Sequence, residues 1–344
     1  MDSFFSFYKD PLFSIIIIIS IIIIVAIADY TRNRFKLKEK KDSLNALANN
    51  FNYYKFDENI NTAIEISKAP IQTLTFIANI YVSNGNFDEA IKIYLSILDK
   101  TKDIKNKMDI FELLGMTYYK AGFMQRAKNI FIEILKNNPR NFKVLSLLMQ
   151  TYETLGEYKN AYDVISCIEE LEGKMDNVKK YIKILILIND SIMPPMQREK
   201  EILKINSNIT NKLTLSYIKQ NNLEKFWELI LNTKNIYNCI DILWNLDNPP
   251  LELIKNHKEI SDVYRAKGII NDNIECDIFE LETIRILNKN SSKNGTLGFK
   301  YCCASCQGIF PFETHRCQSC GELGSMNLVL EIMERKNEKN YSLL

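Results

Sequence analysis

The chain has 344 residues, and its 44 Lys and Arg nearly balance its 42 Asp and Glu. This length suffices for about two or three domains with cores of their own, so the fold does not need disulfide bonds for stability. The near-neutral balance excludes the strongly basic class of nucleic-acid-binding proteins, and we expect no nucleic-acid partner.

The first feature along the chain is an apolar run at residues 12–28, LFSIIIIISIIIIVAIA. As a helix these 17 residues would span roughly 25 Å, which suffices for a slightly thin bilayer. A buried β-strand is the alternative, but strands of soluble proteins usually end after about 5–8 residues. The run therefore predicts a transmembrane helix that follows a short tail, residues 1–11.

Positive charge lies mainly after this apolar run. Lys9 is the only basic residue before it, whereas six Lys or Arg lie between Arg32 and Lys41. Because basic residues favour the cytoplasmic side, we expect an uncleaved anchor with most of the chain in the cytoplasm. A cleaved signal peptide would show the opposite charge order. The basic segment, residues 29–42, also suits contact with anionic membrane lipids.

Residues 43–290 are rich in helix-forming and apolar residues at helical spacing, which predicts an all-α region. Equivalent positions lie 34 residues apart in two stretches of it, FELLGMTYYKAGFMQRAKNIFIEILKNNP and VLSLLMQTYETLGEYKNAYDVISCIEELE. An earlier stretch, TFIANIYVSNGNFDEAIKIYLSILDK, has the same pattern, and its positions lie 37 residues before those of the first of these two. A period near 34 with these residue types resembles the tetratricopeptide repeat. The pattern is clear over residues 71–170 and degenerate elsewhere.

The recurring positions have structural reasons. Gly122 and Gly156 lie where the first helix of a pair ends, and glycine adopts a positive φ there without strain. Ala127 and Ala161 are small enough to let the second helix approach the first closely. Stacked pairs of this kind form a superhelix whose concave surface usually binds a peptide or a protein segment.

Some features of the helical region lie outside the repeat pattern. Pro and Asn interrupt it over residues 190–207 and 248–251, where we expect irregular connections. Cys167, Cys239 and Cys276 stand singly in helical context, and we expect them to be small core residues.

Five of the eight cysteines lie close together near the C-terminus. Cys303, Cys306, Cys317 and Cys320 form the pattern C-x2-C-x10-C-x2-C. Each C-x2-C pair suits a tight turn that brings its two thiols together. Two such turns supply four thiolates to one tetrahedral metal ion, with metal–sulfur bonds of about 2.3 Å. A disulfide cluster is the alternative, but it requires an oxidising compartment, and the charge order of the apolar run places these thiols in the cytoplasm. The spacing therefore predicts one zinc or iron ion.

Two neighbouring residues are expected to lie outside the ligand set. Cys302 would turn the first pair into C-x3-C and break the symmetry of the two turns, and His315 is surplus to a filled four-thiolate shell. We expect Gly308 and Gly321 to lie where the two turns reverse direction. A closed shell has no open position for a substrate, which indicates a structural role or, with iron, electron transfer.

Catalytic motifs were not found in the sequence. The chain has two histidines, and neither His257 nor His315 belongs to a metalloprotease or triad-like pattern. The Gly173–Lys174 pair lacks the other residues of a phosphate-binding loop. We therefore expect a protein without enzymatic activity.

The order of these parts resembles the lipopolysaccharide assembly protein B family of Gram-negative bacteria. The resemblance implies a tetratricopeptide-repeat superhelix with an N-terminal transmembrane helix, a small rubredoxin-like or zinc-ribbon module at residues 298–332 and a tail at 333–344. It implies a single-pass protein of the inner membrane with a periplasmic N-terminus, and it gives the metal-ligand roles to Cys303, Cys306, Cys317 and Cys320.

The same resemblance implies a function. Such a protein is an adaptor that regulates lipopolysaccharide synthesis by promoting degradation of the LpxC deacetylase by the membrane protease FtsH. In that picture the transmembrane segment meets FtsH, the repeats engage LpxC, and the metal module packs against the repeats. The alternatives are a scaffold for another envelope-assembly pathway, since fold does not determine function, and a redox protein with an iron centre.

Overall fold

The structure is a computed structural model that describes residues 23–32, 71–101, 103–290 and 295–334. Contacts divide the chain into two compact units. We call them the N-terminal unit, within Met1–Glu157 and Ser166–Leu171, and the C-terminal unit, within Tyr158–Ile165 and Glu172–Leu344.

Residues 23–32 form a helix with exposed apolar side chains, among them Ile24 and Val25. The rest of the predicted transmembrane segment, residues 12–22, lies outside the described residues, as does the tail at 1–11. In the described ranges, no helix combines the length and the apolar character that crossing a bilayer requires. The transmembrane helix at 12–28 therefore stays a prediction.

The N-terminal unit consists of antiparallel helices joined by short turns. Its helices are α1 (Ile71–Ser83), α2 (Phe87–Lys100), α3 (Ile104–Lys120), α4 (Met124–Asn137) and α5 (Phe142–Thr154), while α6 (Tyr158–Glu172) contributes to both units. From α1 to α5, each helix packs on the next one along the chain. The predicted helical repeats are therefore present as packed helices over residues 71–154, and α6 supplies the last predicted helix of residues 71–170.

The turns and the close contacts follow the predicted positions. Gly122 has φ +83°, and Phe123 N–H donates to Tyr118 O at 2.9 Å, as in a glycine-terminated helix. The equivalent Gly156 has φ +75°. Ala127 has no exposed surface, as expected for a residue at a close helix contact. These short-range predictions are confirmed.

Gly115 offers a test of how tightly α3 packs on α4. A Cβ atom at this position would lie 2.7 Å from Phe131 Cε1 and 3.0 Å from Ile130 Cγ2. We expect Gly115→Ala to destabilise the N-terminal unit by about 1–2 kcal/mol, because the overpacking cost exceeds the gain of about 1 kcal/mol in helix propensity. Urea unfolding measures this change. In a Phe131→Leu background, Gly115→Ala should lower the free energy of unfolding by less. If the loss is unchanged, crowding against Phe131 does not cause the destabilisation.

The C-terminal unit combines short helices with a small sheet. Its helices are α7 (Asp176–Ile188), α8 (Pro195–Ile205), α9 (Asn211–Asn221), α10 (Leu223–Leu231), α11 (Ile240–Trp244), α12 (Leu251–Ile254), α13 (Lys258–Ala266) and α14 (Phe279–Asn290), with a 3₁₀ turn at Tyr237–Cys239. The strands are β1 (Gly295–Cys303), β2 (Ile309–Phe310) and β3 (Met326–Glu334). They form one antiparallel sheet in the order β2-β1-β3, with Tyr301 opposite both Phe310 and Leu328.

The sheet shares one hydrophobic core with the helices of this unit. Leu297, Tyr301, Leu328 and Leu330 are buried in the same cluster as side chains from α7 to α14, and α14 packs against β1 and β3. The strands are therefore part of the folded body of the C-terminal unit.

Two expectations about the helical part of the chain were wrong. Residues 195–205 form a helix, although Pro and Asn predicted an irregular connection over residues 190–207. Pro195 starts this helix, because proline has a suitable φ and needs no hydrogen-bonded N–H in a first turn. Cys167 is exposed on α6, whereas Cys239 and Cys276 are buried as predicted.

Candidate metal centre

Two chain turns with the same hydrogen-bond pattern carry the four cysteines. Cys303 N–H donates to Gly308 O and Gln307 N–H donates to Cys303 O, both at 2.9 Å. Fourteen residues later, Cys317 N–H donates to Glu322 O and Gly321 N–H donates to Cys317 O, again at 2.9 Å. Each turn therefore presents its pair of thiols in the same way, as the equal spacing within the pairs predicts.

The residue after each turn adopts a positive φ. Gly321 has φ +76°, and the equivalent Gln307 has φ +60°. The expectation for Gly321 is confirmed, but the first turn reverses at Gln307 and not at Gly308, which has no positive φ. A non-glycine residue in this region costs roughly 1–2 kcal/mol.

Substitution of Gln307 should reveal this strain. Gln307→Gly and Gln307→Ala both lose the bond from Gln307 Nε2 to Ala304 O, which is 3.0 Å long. Because only the alanine variant keeps the strain, we expect the glycine variant to be more stable by about 1 kcal/mol in thermal unfolding of the metal-loaded protein. Gly321→Ala should lower the stability of the metal-loaded protein by a similar amount, because alanine is strained at the positive φ of this position. Equal stability of the two Gln307 variants would show that the turn relaxes.

The sulfur atoms form a compact group. All four ligand atoms of Cys303, Cys306, Cys317 and Cys320 lie within 4.8 Å of one another. Cys303 Sγ is 3.7 Å from Cys320 Sγ, and Cys306 Sγ is 3.6 Å from Cys317 Sγ. A tetrahedral four-thiolate site with bonds of about 2.3 Å needs sulfurs about 3.8 Å apart, whereas a disulfide needs about 2.05 Å. The donor set therefore fits one zinc or iron ion and not two disulfides.

The surroundings favour the metal-binding form of one cysteine. Ser325 Oγ lies 3.1 Å from Cys303 Sγ. By donating to the thiolate, this hydroxyl lowers the pKa of Cys303 to about 6, with backbone N–H groups adding to the effect. The thiolate is the species that binds metal, so a hydrogen bond from Ser325 favours the ligand form of Cys303.

Cys302 and His315 lie outside the group of four sulfurs. Cys302 Sγ is 3.8 Å from Gln307 Oε1, on the neighbouring part of the first turn. The ring of His315 lies 6.0 Å from the ring of Tyr181 on α7, and burial lowers the pKa of His315 to about 4. His315 is therefore neutral at physiological pH and packs against a helix.

A group of charged side chains connects the metal-binding segment to the helices. Lys212 Nζ lies 2.8 Å from Asp241 Oδ2 and 3.0 Å from Glu313 Oε1. Tyr301 OH donates to the same oxygen of Asp241 at 2.8 Å. Glu313 lies between the two cysteine pairs, and burial raises its pKa. The sequence contains no signal for this cluster, because its members are far apart along the chain.

Comparison with known proteins agrees with the repeats. The tetratricopeptide repeat family model matches residues 73–108. The lipopolysaccharide assembly protein B of Escherichia coli K12 and that of strain O157:H7 are each 25% identical over 96 residues, which is 28% of this chain and 25% of theirs. The matched region thus spans about a quarter of the length of these relatives.

Solved structures of MamA from AMB-1 and MSR-1 also align. They are 18% and 16% identical, each with a TM-score of 0.33, over 50% and 58% of this chain and 88% and 96% of theirs. The family match alone places at least one tetratricopeptide repeat at residues 73–108, upstream of a four-cysteine cluster that can hold a metal ion.

Proposed function

We propose that this protein is an inner-membrane adaptor that regulates lipopolysaccharide synthesis by promoting degradation of the LpxC deacetylase by the membrane protease FtsH. The observation that carries the proposal is the 96-residue similarity to lipopolysaccharide assembly protein B, in a chain that also has tetratricopeptide repeats and a four-thiolate cluster. In this role the protein has no enzymatic activity of its own. The repeats hold a protein or peptide, and the anchor keeps it near the membrane.

The exposed helix at residues 23–32 supports the proposed anchor. Ile24 and Val25 are more than half exposed, which is unfavourable in water and favourable in lipid. These residues are the C-terminal part of the apolar run that starts at residue 12. We propose that the whole run spans the inner membrane once, with the N-terminus in the periplasm and the basic segment against lipid head groups.

The metal ion has a structural role in this proposal. Cys303, Cys306, Cys317 and Cys320 would hold it, and a filled four-thiolate shell cross-links two distant turns of the chain. Metal analysis and visible absorption of anaerobically purified protein identify the ion. A colourless zinc protein would support the structural role; a coloured, reversibly reducible iron protein would favour the redox alternative.

The half-life of LpxC tests the proposed function. Depletion of this protein in its own bacterium should lengthen the half-life of LpxC, because the adaptor delivers LpxC to FtsH. Expression of the wild type or of Cys302→Ser should restore rapid turnover, whereas Cys303→Ser with Cys306→Ser should not. An unchanged LpxC half-life after depletion would reject the proposal. Affinity purification from detergent-solubilised membranes would then identify the partner in another envelope-assembly pathway.

A further inference from the structure

The four candidate ligands differ in their exposure to solvent. Cys303 and Cys317, the first residues of the two pairs, are 0% and 1% exposed, and we call them the covered thiols. Cys306 and Cys320, the second residues of the pairs, are exposed, and we call them the exposed thiols. The group of four sulfurs therefore has one side within the fold and one side that a small molecule in solution can reach.

Neighbouring residues account for this difference at the first turn. Ser325 Oγ lies 3.1 Å from Cys303 Sγ and covers it. Position 308 has no side chain, and a Cβ atom at Gly308 would lie 3.4 Å from Cys306 Sγ, which is van der Waals contact. Because Gly308 lacks this atom, that side of the Cys306 sulfur stays accessible.

Each exposed thiol has a covered thiol of the other turn close to it. Cys306 Sγ is 3.6 Å from Cys317 Sγ, and Cys320 Sγ is 3.7 Å from Cys303 Sγ. A disulfide bond is about 2.05 Å long, so the sulfurs of either contact need to approach each other by roughly 1.6 Å to become bonded. Each exposed thiol therefore has a partner in position for a disulfide that joins the two turns.

We propose that the exposed thiols are a site of oxidation by hydrogen peroxide. The thiolate sulfur of Cys306 or Cys320 attacks one peroxide oxygen and the O–O bond breaks. The cysteine becomes a sulfenic acid, and the other oxygen takes up a proton and leaves as water. The thiolate of the covered neighbour then attacks the sulfenic sulfur and displaces hydroxide, which leaves as a second water. The product is a Cys306–Cys317 or a Cys303–Cys320 disulfide, and two electrons have passed from two sulfurs to the peroxide.

Such a disulfide would disable the metal site. It consumes two of the four thiolates, and the remaining two cannot close a tetrahedral shell, so the affinity for the ion falls. The strands that carry the turns share one core with α7 to α14, so the loss would reach the helices. Small thiols reverse the disulfide by exchange. The inference goes beyond the proposed adaptor function, because it holds whichever partner the repeats bind.

Trapping of the sulfenic acid tests the proposal. The purified full-length protein, loaded with zinc, is treated with one equivalent of hydrogen peroxide in the presence of dimedone, which labels sulfenic acids. Mass spectrometry locates the label, and a chromogenic chelator measures the released zinc. We expect the label on Cys306 and Cys320. Without dimedone, we expect a disulfide between the two turns and a release of zinc that dithiothreitol reverses.

Two other cysteines serve as internal references in the same sample. Cys167 is exposed on α6, Cys302 is partly exposed beside the group of four sulfurs, and neither is a candidate ligand. Label mainly on Cys303 or Cys317 would overturn the proposal. Oxidation of Cys302 or Cys167 while zinc stays bound would overturn it as well.

Gly308→Ala tests access to the Cys306 sulfur without removing a ligand. The readout is the ratio of label on Cys306 to label on Cys320 within one sample, since a general loss of stability would change both labels. We expect the ratio to fall at least about twofold, because oxidation follows exposure. Gly298→Ala is the matched control, since its Cβ meets the flexible side chain of Met333, and it should keep the wild-type ratio. An unchanged ratio in Gly308→Ala would show that exposure does not govern the oxidation, and the proposal would be wrong.

Discussion

Loss of the metal should unfold the sheet together with the helices packed on it. Cys303→Ser with Cys306→Ser removes two of the four ligands. Because Leu297 and Leu328 of the strands share a core with α7 to α14, undocking of the strands exposes apolar surface of those helices. Structural zinc sites contribute on the order of 10 kcal/mol of apparent binding energy, which is as large as the stability of a typical domain.

Hydrogen exchange measures this loss segment by segment. Amides of β1, β3, α13 and α14 should lose protection in the double variant or in a strong chelator, whereas amides of α3 and α4 in the N-terminal unit should keep it. Cys302→Ser, which changes the neighbouring thiol, should behave like wild type. Protection that is lost only within residues 303–325, with α13 and α14 unaffected, would show that the helices do not depend on the metal.

Removal of Lys212 should strongly destabilise the C-terminal unit, because Lys212 is the positive partner of a buried carboxylate. Asp241 is 5% exposed, and Lys212→Met leaves it buried without its positive partner. Removal of one member of a buried ion pair typically costs about 3–5 kcal/mol. We expect a loss of this size in the free energy of unfolding of the C-terminal unit, measured by urea denaturation of the metal-loaded protein.

Two further variants test the cause of that loss. Lys204→Met removes an exposed lysine that pairs with the exposed Glu201, and it should cost less than about 1 kcal/mol. Asp241→Asn in the Lys212→Met background should recover part of the stability, because it removes the unpaired charge while Tyr301 keeps an acceptor. Additive effects of the two substitutions would show that Lys212 and Asp241 do not interact.

The helix pairs and the cysteine turns could be predicted because their determinants lie close together in sequence. Gly122 ends α3 by its own backbone conformation, and Ala127 is defined by a position within one repeat. Cys303 and Cys306 need only a four-residue turn to bring their thiols to one side. The spacing of such residues along the chain is sufficient to infer the local structure.

Other features could not be read from local patterns. Pro195 predicted a break but begins a helix, and Cys167 lies on an exposed helix face although its sequence context resembles that of buried Cys239. The positive φ of Gln307 has no sequence signal, since glycine is the residue expected there. In each case the neighbours in space determine the outcome.

The sequence by itself determined the helical repeats, the four candidate ligands and the separation of Cys302 from them, because these depend on spacing over a few residues. Tertiary structure alone decided that the strands complete the core of the C-terminal unit and that Lys212 joins Asp241 to Glu313. It also decided that tyrosines orient Asn79 and Gln150. These contacts join residues 15 to 101 positions apart, as from Tyr94 back to Asn79 and from Lys212 to Glu313, and no local pattern encodes such distances.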